Sequence, residues 1–412
     1  MKTSIPVLGL LLASSTTAFA ATESDKIERL EQLEKQVAEL KEEVNTNTKT
    51  TTDLTPKIKV GGAVRFQYSY EDYDDDNKDR GGDFDFDVFR LDVNGSIGDV
   101  KLSAQYRWYQ YMNVIHHADV AYQFTDNWEG KVGITQVPFG NLNYNSNNFF
   151  FSSGYYVGLE DDYDAGISFT GKYDKHDIRI AYFLNDEKGG VDGYSGDKTH
   201  RYSYDVVGIR DFAGGEGIYS APAQQMGESN TVNFRYTYNF FSNTEVGVSL
   251  LSGDLEGDLE GGSGVGSVGD HTAYAFHVKS NIDNFGIMFQ ASEYEYDLDN
   301  GSDAVAVGAW AFYDTIPTEA TSYNLNLSYS QSVSLGPITN LTYYNDYNLI
   351  TDKSAGLDDT TMNATGVAIS AGGVYAYVDF VIAKNQPFLG GTLVGNADDW
   401  NKRLNINIGY YF

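Results

Sequence analysis

Apolar and polar side chains alternate in segments of about ten residues from residue 58 to residue 412. In the last segment, 402–412, every second residue from Leu404 to Phe412 is apolar, while Asn405 and Asn407 lie on the other face. A strand of a soluble sandwich can alternate in this way, and so does a strand with lipid on one side and water on the other. The chain stops on the aromatic Phe412, which favours the lipid-facing strand.

The alternation predicts sixteen strands after residue 57 and no helix. The predicted strands are 58–70, 84–97, 99–112, 116–126, 129–139, 164–173, 176–186, 229–241, 243–254, 270–282, 284–298, 319–332, 337–350, 361–371, 372–384 and 402–412. The alternation slips at Val88–Phe89, which predicts a β-bulge in the second strand.

The predicted connections alternate in length along the chain. Every second one is a tight turn, whereas those at 71–83, 140–163, 187–228, 254–269, 298–318, 351–360 and 385–401 are long. Outer-membrane barrels have short periplasmic turns and longer extracellular loops, and a sheet in hydrocarbon must close because an open edge would leave backbone groups unpaired. The sequence therefore predicts an all-β fold, a transmembrane antiparallel β-barrel of sixteen strands, with a wet lumen lined by Asn, Ser and Thr.

The first 57 residues divide into three predicted parts. Residues 1–20 have a Lys2 start, a short apolar core and the small-x-small site Ala18-Phe19-Ala20, which predict a cleaved signal peptide. Residues 21–45 have a heptad seam running from Leu30 to Val44, which predicts a periplasmic coiled coil that needs partner helices. A single helix lying on the barrel is the alternative. Residues 46–57 are a Thr-rich linker, and 58–412 form the barrel.

Composition narrows the possible partners. The chain of 412 residues has 58 acidic and 28 basic side chains, for a formal net charge of -30, which argues against binding nucleic acid. It contains no cysteine, so disulfides and thiolate metal sites are excluded. Its 32 tyrosines fit the two aromatic girdles that a barrel needs where membrane meets water.

Three segments carry a resemblance to a known family. They are Phe89–Gly95, Lys131–Gly140 with its Pro-Phe-Gly ending, and Asp162–Gly171. In this order and spacing they resemble the phosphate-selective porins of Gram-negative outer membranes over roughly residues 58–186. The resemblance implies a homotrimer of sixteen-stranded barrels, each with a long loop folded into the pore. Ile134 stands where the family pattern has Gln, so phosphate specificity does not follow.

Basic residues on the predicted inward face are candidates for an anion track, because a guanidinium suits phosphate and carboxylate groups. These pore-lining candidates are Arg65, Arg90, Arg107, Lys131, Arg179, Arg235 and Lys279. In a second interpretation they are wall residues paired with carboxylates such as Asp85, Asp87, Asp92 and Asp119. In a third, a basic wall faces an acidic loop across the pore.

The loop 140–163 is the predicted constriction, with a surface lid as the alternative. Its candidate residues are Asn141, Asn143, Asn145, Glu160, Asp161 and Asp162. We expect its polar atoms to line the eyelet and the aromatic run Phe149–Phe151 to pack on the wall. The other loops are strongly acidic, above all 71–79, which would repel dianions at the mouth and disfavours strict phosphate selectivity.

No enzyme motif, cofactor motif or metal-ligand spacing is apparent, and His116 and His117 are expected on opposite sides of a strand. The leading hypothesis is an outer-membrane porin for passive diffusion of small hydrophilic solutes and ions, with a lean towards anions. A phosphate- or carboxylate-selective channel is the first alternative, and a structural or adhesive barrel, a barrel enzyme and a soluble exported β-protein rank lower. The predicted partners are two further copies of the chain, membrane lipid and lipopolysaccharide, and small solutes.

Overall fold

The computed structural model describes residues 35–38, 55–191, 196–259 and 264–412. The predicted signal peptide and all but residues 35–38 of the predicted coiled coil lie outside the described residues, and 35–38 are helical. Residues from Thr55 to Phe412 form one compact unit. No helix in the described part of the chain has the length and hydropathy needed to cross a membrane.

Sixteen of the nineteen strands in the described residues form a closed antiparallel barrel, as predicted. The barrel strands are β1 (Lys57–Glu71), β2 (Asp83–Ile97), β3 (Val100–Tyr109), β4 (Asn113–Gln123), β5 (Trp128–Gln136), β6 (Tyr163–Tyr173), β7 (His176–Asp186), β9 (Gln224–Phe241), β10 (Thr244–Asp258), β11 (Val265–Ile282), β12 (Phe285–Leu298), β15 (Glu319–Leu335), β16 (Ile338–Thr351), β17 (Thr360–Ala371), β18 (Val374–Lys384) and β19 (Asn401–Tyr411). The last strand pairs with the first, with Val64 opposite Tyr410, so the sheet has no free edge.

Outward and inward faces follow the sequence alternation. In β9, Val232 and Phe234 point outwards and are 52% and 39% exposed, whereas Asn233 and Arg235 point inwards and are 0% and 2% exposed. The apolar side chains therefore form the outer belt that lipid would cover. The predicted bulge in β2 is present, because Arg65 pairs with Val88 and Phe66 pairs with Phe86, leaving Asp87 unpaired in the ladder.

The connections are sorted as predicted, with tight turns at one rim (the turn rim, for example Gly372–Gly373) and longer loops at the other (the loop rim). The prediction of a long loop at 254–269 was wrong, because β10 continues to Asp258 and β11 already begins at Val265. The expectation of no helix was wrong at three short segments of the described loops, the α-helix Asp75–Arg80 and the 3₁₀ helices Ser153–Val157 and Ser354–Gly356. The α-helix is capped by Asp74, whose side chain accepts a hydrogen bond from the Asn77 N–H at 3.1 Å.

Three short strands within the long loops were not predicted. They are β8 (Asp205–Ile209), β13 (Ala304–Ala309) and β14 (Phe312–Pro317), and they form a small sheet in which β13 pairs with both β8 and β14. All residues of β8 and β13 are buried, so their sequences lack the alternation that reveals a half-exposed strand.

A packed core inside the barrel corrects the prediction of a purely wet lumen. The small sheet packs with the loop after β5 in one apolar cluster that includes Tyr155, Val206 and Val307. This cluster forms because two long loops supply an apolar sheet that must be covered, and the barrel interior covers it.

His116 and His117 also correct a prediction, since they do not lie on opposite sides. The ladder between β3 and β4 shifts so that Gln105 pairs with His117 and Tyr106 with Ile115, which makes His116 the extra residue of a bulge. The two Nδ1 atoms are consequently 3.0 Å apart.

Candidate functional site: the channel and its constriction loop

Residues 137–162, here called the constriction loop, fold into the barrel and run along one wall. Asn141 N–H donates to Gln290 Oε1 of β12 at 2.8 Å, and Asn145 Nδ2 donates to Asn324 Oδ1 of β15 at 2.9 Å. Ser153 N–H donates to Asn348 Oδ1 of β16 at 3.1 Å. The inward polar residues of β9, β10, β12, β15 and β16, here called the covered wall, therefore bind this loop.

Asp346 of β16 is the strongest single anchor of the loop. Its carboxylate accepts four hydrogen bonds, from the backbone N–H and side-chain Nδ2 of both Asn147 and Asn148, at 2.6–2.9 Å. Asp346 is completely buried. Charged acceptors make hydrogen bonds stronger than neutral ones, so this carboxylate holds the turn of the loop against the wall.

Glu160 closes the loop on itself. Its carboxylate accepts from the backbone N–H of Asn145 at 2.8 Å and of Ser152 at 2.9 Å. Burial raises the pKa of Glu160 to about 7, although these hydrogen bonds act in the opposite direction. The loop is thus built on a carboxyl group that can gain a proton near neutral pH.

A cavity of about 790 Å³ lies between the loop and the opposite wall. Its lining reaches from Gly372–Gly373 at the turn rim to Gln110 and Tyr111 in the β3–β4 connection at the loop rim, so it spans the height of the barrel. We call the strands on this side, β1–β3, β18 and β19, the open wall. The aromatic lining residues are Phe86, Tyr111, Tyr144, Phe149, Phe150, Phe151, Tyr155, Tyr156, Tyr202, Trp310, Tyr375, Tyr377, Phe388 and Tyr411.

Three of the predicted pore residues, Arg65, Arg90 and Arg107, line this cavity from adjacent strands. Two of them are paired with carboxylates, as the second interpretation held. Arg65 Nε lies 2.7 Å from Asp87 Oδ2, and Arg90 Nη2 lies 2.8 Å from Asp92 Oδ2. Each pair keeps a cation beside the channel but offsets most of its charge.

Arg107 differs from the other two. Its Nε donates to Gln105 Oε1 at 2.6 Å, its Nη1 donates to Tyr109 OH at 3.3 Å, and its guanidinium lies 4.6 Å from the centre of the Tyr202 ring. No carboxylate of the described residues lies within salt-bridge distance of it. Its direct contacts are thus neutral oxygens and a ring face, and the Asp161 carboxylate acts on its charge only from beyond salt-bridge distance.

The other four basic candidates do not line the main cavity. Lys131 Nζ lies 3.5 Å from Asp119, and Arg179 Nε lies 3.0 Å from Asp177. Arg235 donates to the Gly140 carbonyl at 2.8 Å, and Lys279 donates to the Leu142 carbonyl at 2.7 Å. Arg235 and Lys279 therefore hold the start of the constriction loop.

Most of the candidate loop residues do not line the channel, whereas the prediction placed them at its narrowest point. Asn141, Asn145, Glu160, Asp161 and Asp162 are buried and absent from the lining of the main cavity. Asn143 lines a second cavity of about 270 Å³ beside Lys279. The loop side chains that line the main cavity are mostly aromatic, with Ser146 and Asn148 among them. Most of the polar loop side chains face away from it because backbone groups folded into the barrel need polar partners, which the covered wall and the loop's own polar side chains provide.

Sequence reasoning missed Arg403 of β19, which lines the cavity, pairs with Glu71 at 2.8 Å and lies 5.1 Å from the Phe150 ring. The signal was available, since Arg403 shares its face with Asn405 and Asn407. Aromatic lining residues of the small inner sheet, such as Trp310, have no such sequence signal. Trp310 follows β13, a buried strand without an alternating pattern.

Comparison with known proteins agrees with this geometry. The family model described as phosphate-selective porin O and P matches residues 58–210. A search of curated proteins finds no match.

Among solved structures, the chain is similar to OmpT, an outer membrane protein of Vibrio cholerae in its trimer form, with 12% identity, a TM-score of 0.55 and coverage of 87% of this chain and 100% of that one. It is similar to an anion-selective porin from Comamonas acidovorans, with 13% identity, a TM-score of 0.56 and coverage of 87% and 100%. It is also similar to the outer membrane channel DcaP of Acinetobacter baumannii, with 13% identity, a TM-score of 0.54 and coverage of 87% and 97%. At these identities the likenesses show the fold. The closed barrel, the cavity from rim to rim and the match over residues 58–210 together indicate an outer-membrane porin, and over those residues, less than half of the chain, the sequence is similar to the phosphate-selective porin O and P family.

Proposed function

We propose that small hydrophilic solutes and ions diffuse passively along the open wall, with a lean towards anions that depends on Arg107. The observation that carries this proposal is the charge pattern of the cavity from rim to rim. Four arginines line it, and three of them have a carboxylate partner, whereas Arg107 has none among the described residues. One cation without a direct carboxylate partner in a narrow passage attracts anions without binding them tightly.

Strict phosphate selectivity is less well supported than this lean. A phosphate that binds Arg65 or Arg90 would have to compete with Asp87 or Asp92, which already occupy the guanidinium groups. The dense aromatic lining also favours solutes with apolar faces over strongly hydrated dianions. We therefore expect weak block by phosphate, comparable with block by succinate.

The test is planar-bilayer recording with reversal potentials in KCl gradients. We expect conductance steps with a moderate anion preference for the natural protein, and a shift towards cations for Arg107→Gln. Arg179→Gln is the matched control, because Arg179 is paired with Asp177 and lies away from the cavity. An absence of conductance steps would contradict the channel and favour a structural or adhesive barrel. A cation-selective natural protein would contradict only the anion lean.

The rest of the proposal concerns assembly and export. The chain would be exported with cleavage after Ala20 and would form a homotrimer through its barrel walls and the coiled coil 21–45, in contact with lipid and lipopolysaccharide. The trimer form of the Vibrio cholerae protein with the same fold supports the oligomeric state. Deleting residues 23–45 should lower the temperature at which the trimer dissociates on gels, and an unchanged temperature would show that the barrel walls alone hold it. The channel fold and the family give no support to an enzyme.

A further inference from the structure

Three buried carboxylates meet where the constriction loop ends. Asp162 is the last residue of that loop, Asp164 stands at the start of β6, and Asp205 begins the inner strand β8. They are 7%, 1% and 3% exposed, and one carboxylate oxygen from each lies within 4.8 Å of those of the other two. This group, here called the aspartate triad, plays no part in lining the channel.

A neighbouring group shows how the chain neutralises such a cluster. Asp186, Glu187 and Asp205 also converge within 4.8 Å, and Arg201 fills the space between them. Its Nη2 lies 3.0 Å from Asp186, its Nη1 lies 2.9 Å from Glu187, and it donates a short hydrogen bond to Asp205 Oδ2. Asp205 is shared by the two groups and links the aspartate triad to the carboxylates that Arg201 pairs with.

The aspartate triad has no equivalent of Arg201 among the described residues. No lysine, arginine or histidine of this part of the chain forms an ion pair with Asp162 or Asp164. The Oδ1 atom of Asp164 is buried and has no hydrogen-bond partner there. A buried carboxylate oxygen without a partner is costly, and a bound cation is one way to satisfy it.

The charge balance supports the same conclusion. The two groups together contain five carboxylates, from Asp162, Asp164, Asp186, Glu187 and Asp205, and the guanidinium of Arg201 pairs with the last three of them. Removing an uncompensated ion from water is costly, so protons or a cation must neutralise part of this charge.

We propose that Asp162, Asp164 and Asp205 bind one divalent cation of the calcium class. The donor set consists of carboxylate oxygens, which suit a hard cation, and it offers no imidazole or thiolate that would favour zinc or copper. Calcium accepts irregular oxygen cages and bidentate carboxylates, whereas magnesium demands near-octahedral geometry. The cation would tie the end of the constriction loop to β6 and to the inner sheet, and so brace the root of the loop.

The test is metal binding to the full-length detergent-solubilised protein after removal of cations with EDTA. Tyrosine-sensitised terbium luminescence and calcium titration calorimetry report binding, and the melting temperature with and without calcium reports its effect on stability. We expect a saturable site that raises the melting temperature, and a loss of affinity of about tenfold or more in Asp164→Asn, together with most of the calcium-dependent shift. Asp162→Asn is the second variant, in case the first does not fold.

Asp299→Asn is the matched control, because Asp299 is an exposed acid in the loop after β12 and should leave the site unchanged. If calcium shifts the melting temperature of the natural protein and both triad variants equally, the cation binds exposed acids elsewhere, and the proposal is wrong. If the natural protein shows neither a saturable site nor a shift at neutral pH, protons neutralise the triad, and the proposal is also wrong. Conductance is not part of either readout, so the outcome is independent of the proposed channel function.

Discussion

The open wall and the covered wall of the barrel have the same sequence pattern, but their inward residues have different roles. Both place polar residues inwards at every second position. On the covered wall, Asn324 and Asn348 are completely buried and bind the constriction loop. On the open wall, Arg65 and Arg90 face a cavity that spans the barrel. An inward polar residue can therefore serve as a loop anchor or as channel lining, and the position of the loop decides which.

The largest expected effect comes from releasing the loop from the covered wall. Asp346→Ala removes the acceptor of four hydrogen bonds, and each buried donor left unpaired costs about 1–3 kcal/mol. We expect the loop to detach, with a conductance increase of several-fold and noisier single channels.

The control for this prediction is Thr342→Ala, also on β16 and inward, whose hydroxyl bonds Ser330 and Asn340 of the wall rather than the loop. Heat-modifiable gel migration should remain normal in both variants, which shows that the barrel is closed. Unchanged conductance in a correctly folded Asp346→Ala protein would mean that the other wall contacts suffice to hold the loop.

A smaller effect is expected from changing the charge of the open wall. Asp87→Asn leaves Arg65 beside the cavity without its carboxylate partner, so the reversal potential should move towards anions. Asp177→Asn likewise removes the carboxylate partner of Arg179, which lies away from the cavity. This control should move the reversal potential much less. Equal shifts in the two variants would indicate that net charge, rather than the local charge of the open wall, sets selectivity.

The smallest effect concerns the pH dependence of the loop. Glu160 has a pKa of about 7 in the folded loop against 4.5 when unfolded, so the folded loop favours the protonated form. Its contribution to loop stability is complete below the unfolded pKa and is lost as the pH rises through about 7. We expect channel noise to grow between about pH 5 and about pH 8, and Glu160→Gln, which mimics the neutral acid, to flatten this dependence. A slope that persists in Glu160→Gln would assign the titration to another group.

Much of the fold could be predicted because the strands of a membrane barrel leave a pattern in short stretches of the sequence. A strand between lipid and water must alternate, so the positions of β9 and β15 are visible in the sequence. The bulge at Asp87 was visible for the same reason, as a slip of that alternation. The bulge at His116 was not, since two adjacent histidines give no contrast between apolar and polar positions that would mark a slip.

The candidate site was only partly predictable. Arg65, Arg90 and Arg107 follow from the inward face of three consecutive strands. Their differing charge environments do not, because Asp87 reaches Arg65 from the neighbouring strand, and Arg107 meets Tyr202 from a loop almost a hundred residues away in the sequence. The anchoring roles of Arg235 and Lys279 depend on the path of the constriction loop in the same way.

The sequence by itself determined the number of barrel strands, the direction in which most of their side chains point, the sorting of turns and loops, and the family resemblance, since each depends on a short period or a local motif. Only the tertiary structure decided which wall the loop covers, which arginines are paired, and that Asp162, Asp164 and Asp205 converge. These features depend on contacts between segments far apart in the chain. A period of two residues predicts which way a side chain points, but it does not predict which residue that side chain contacts.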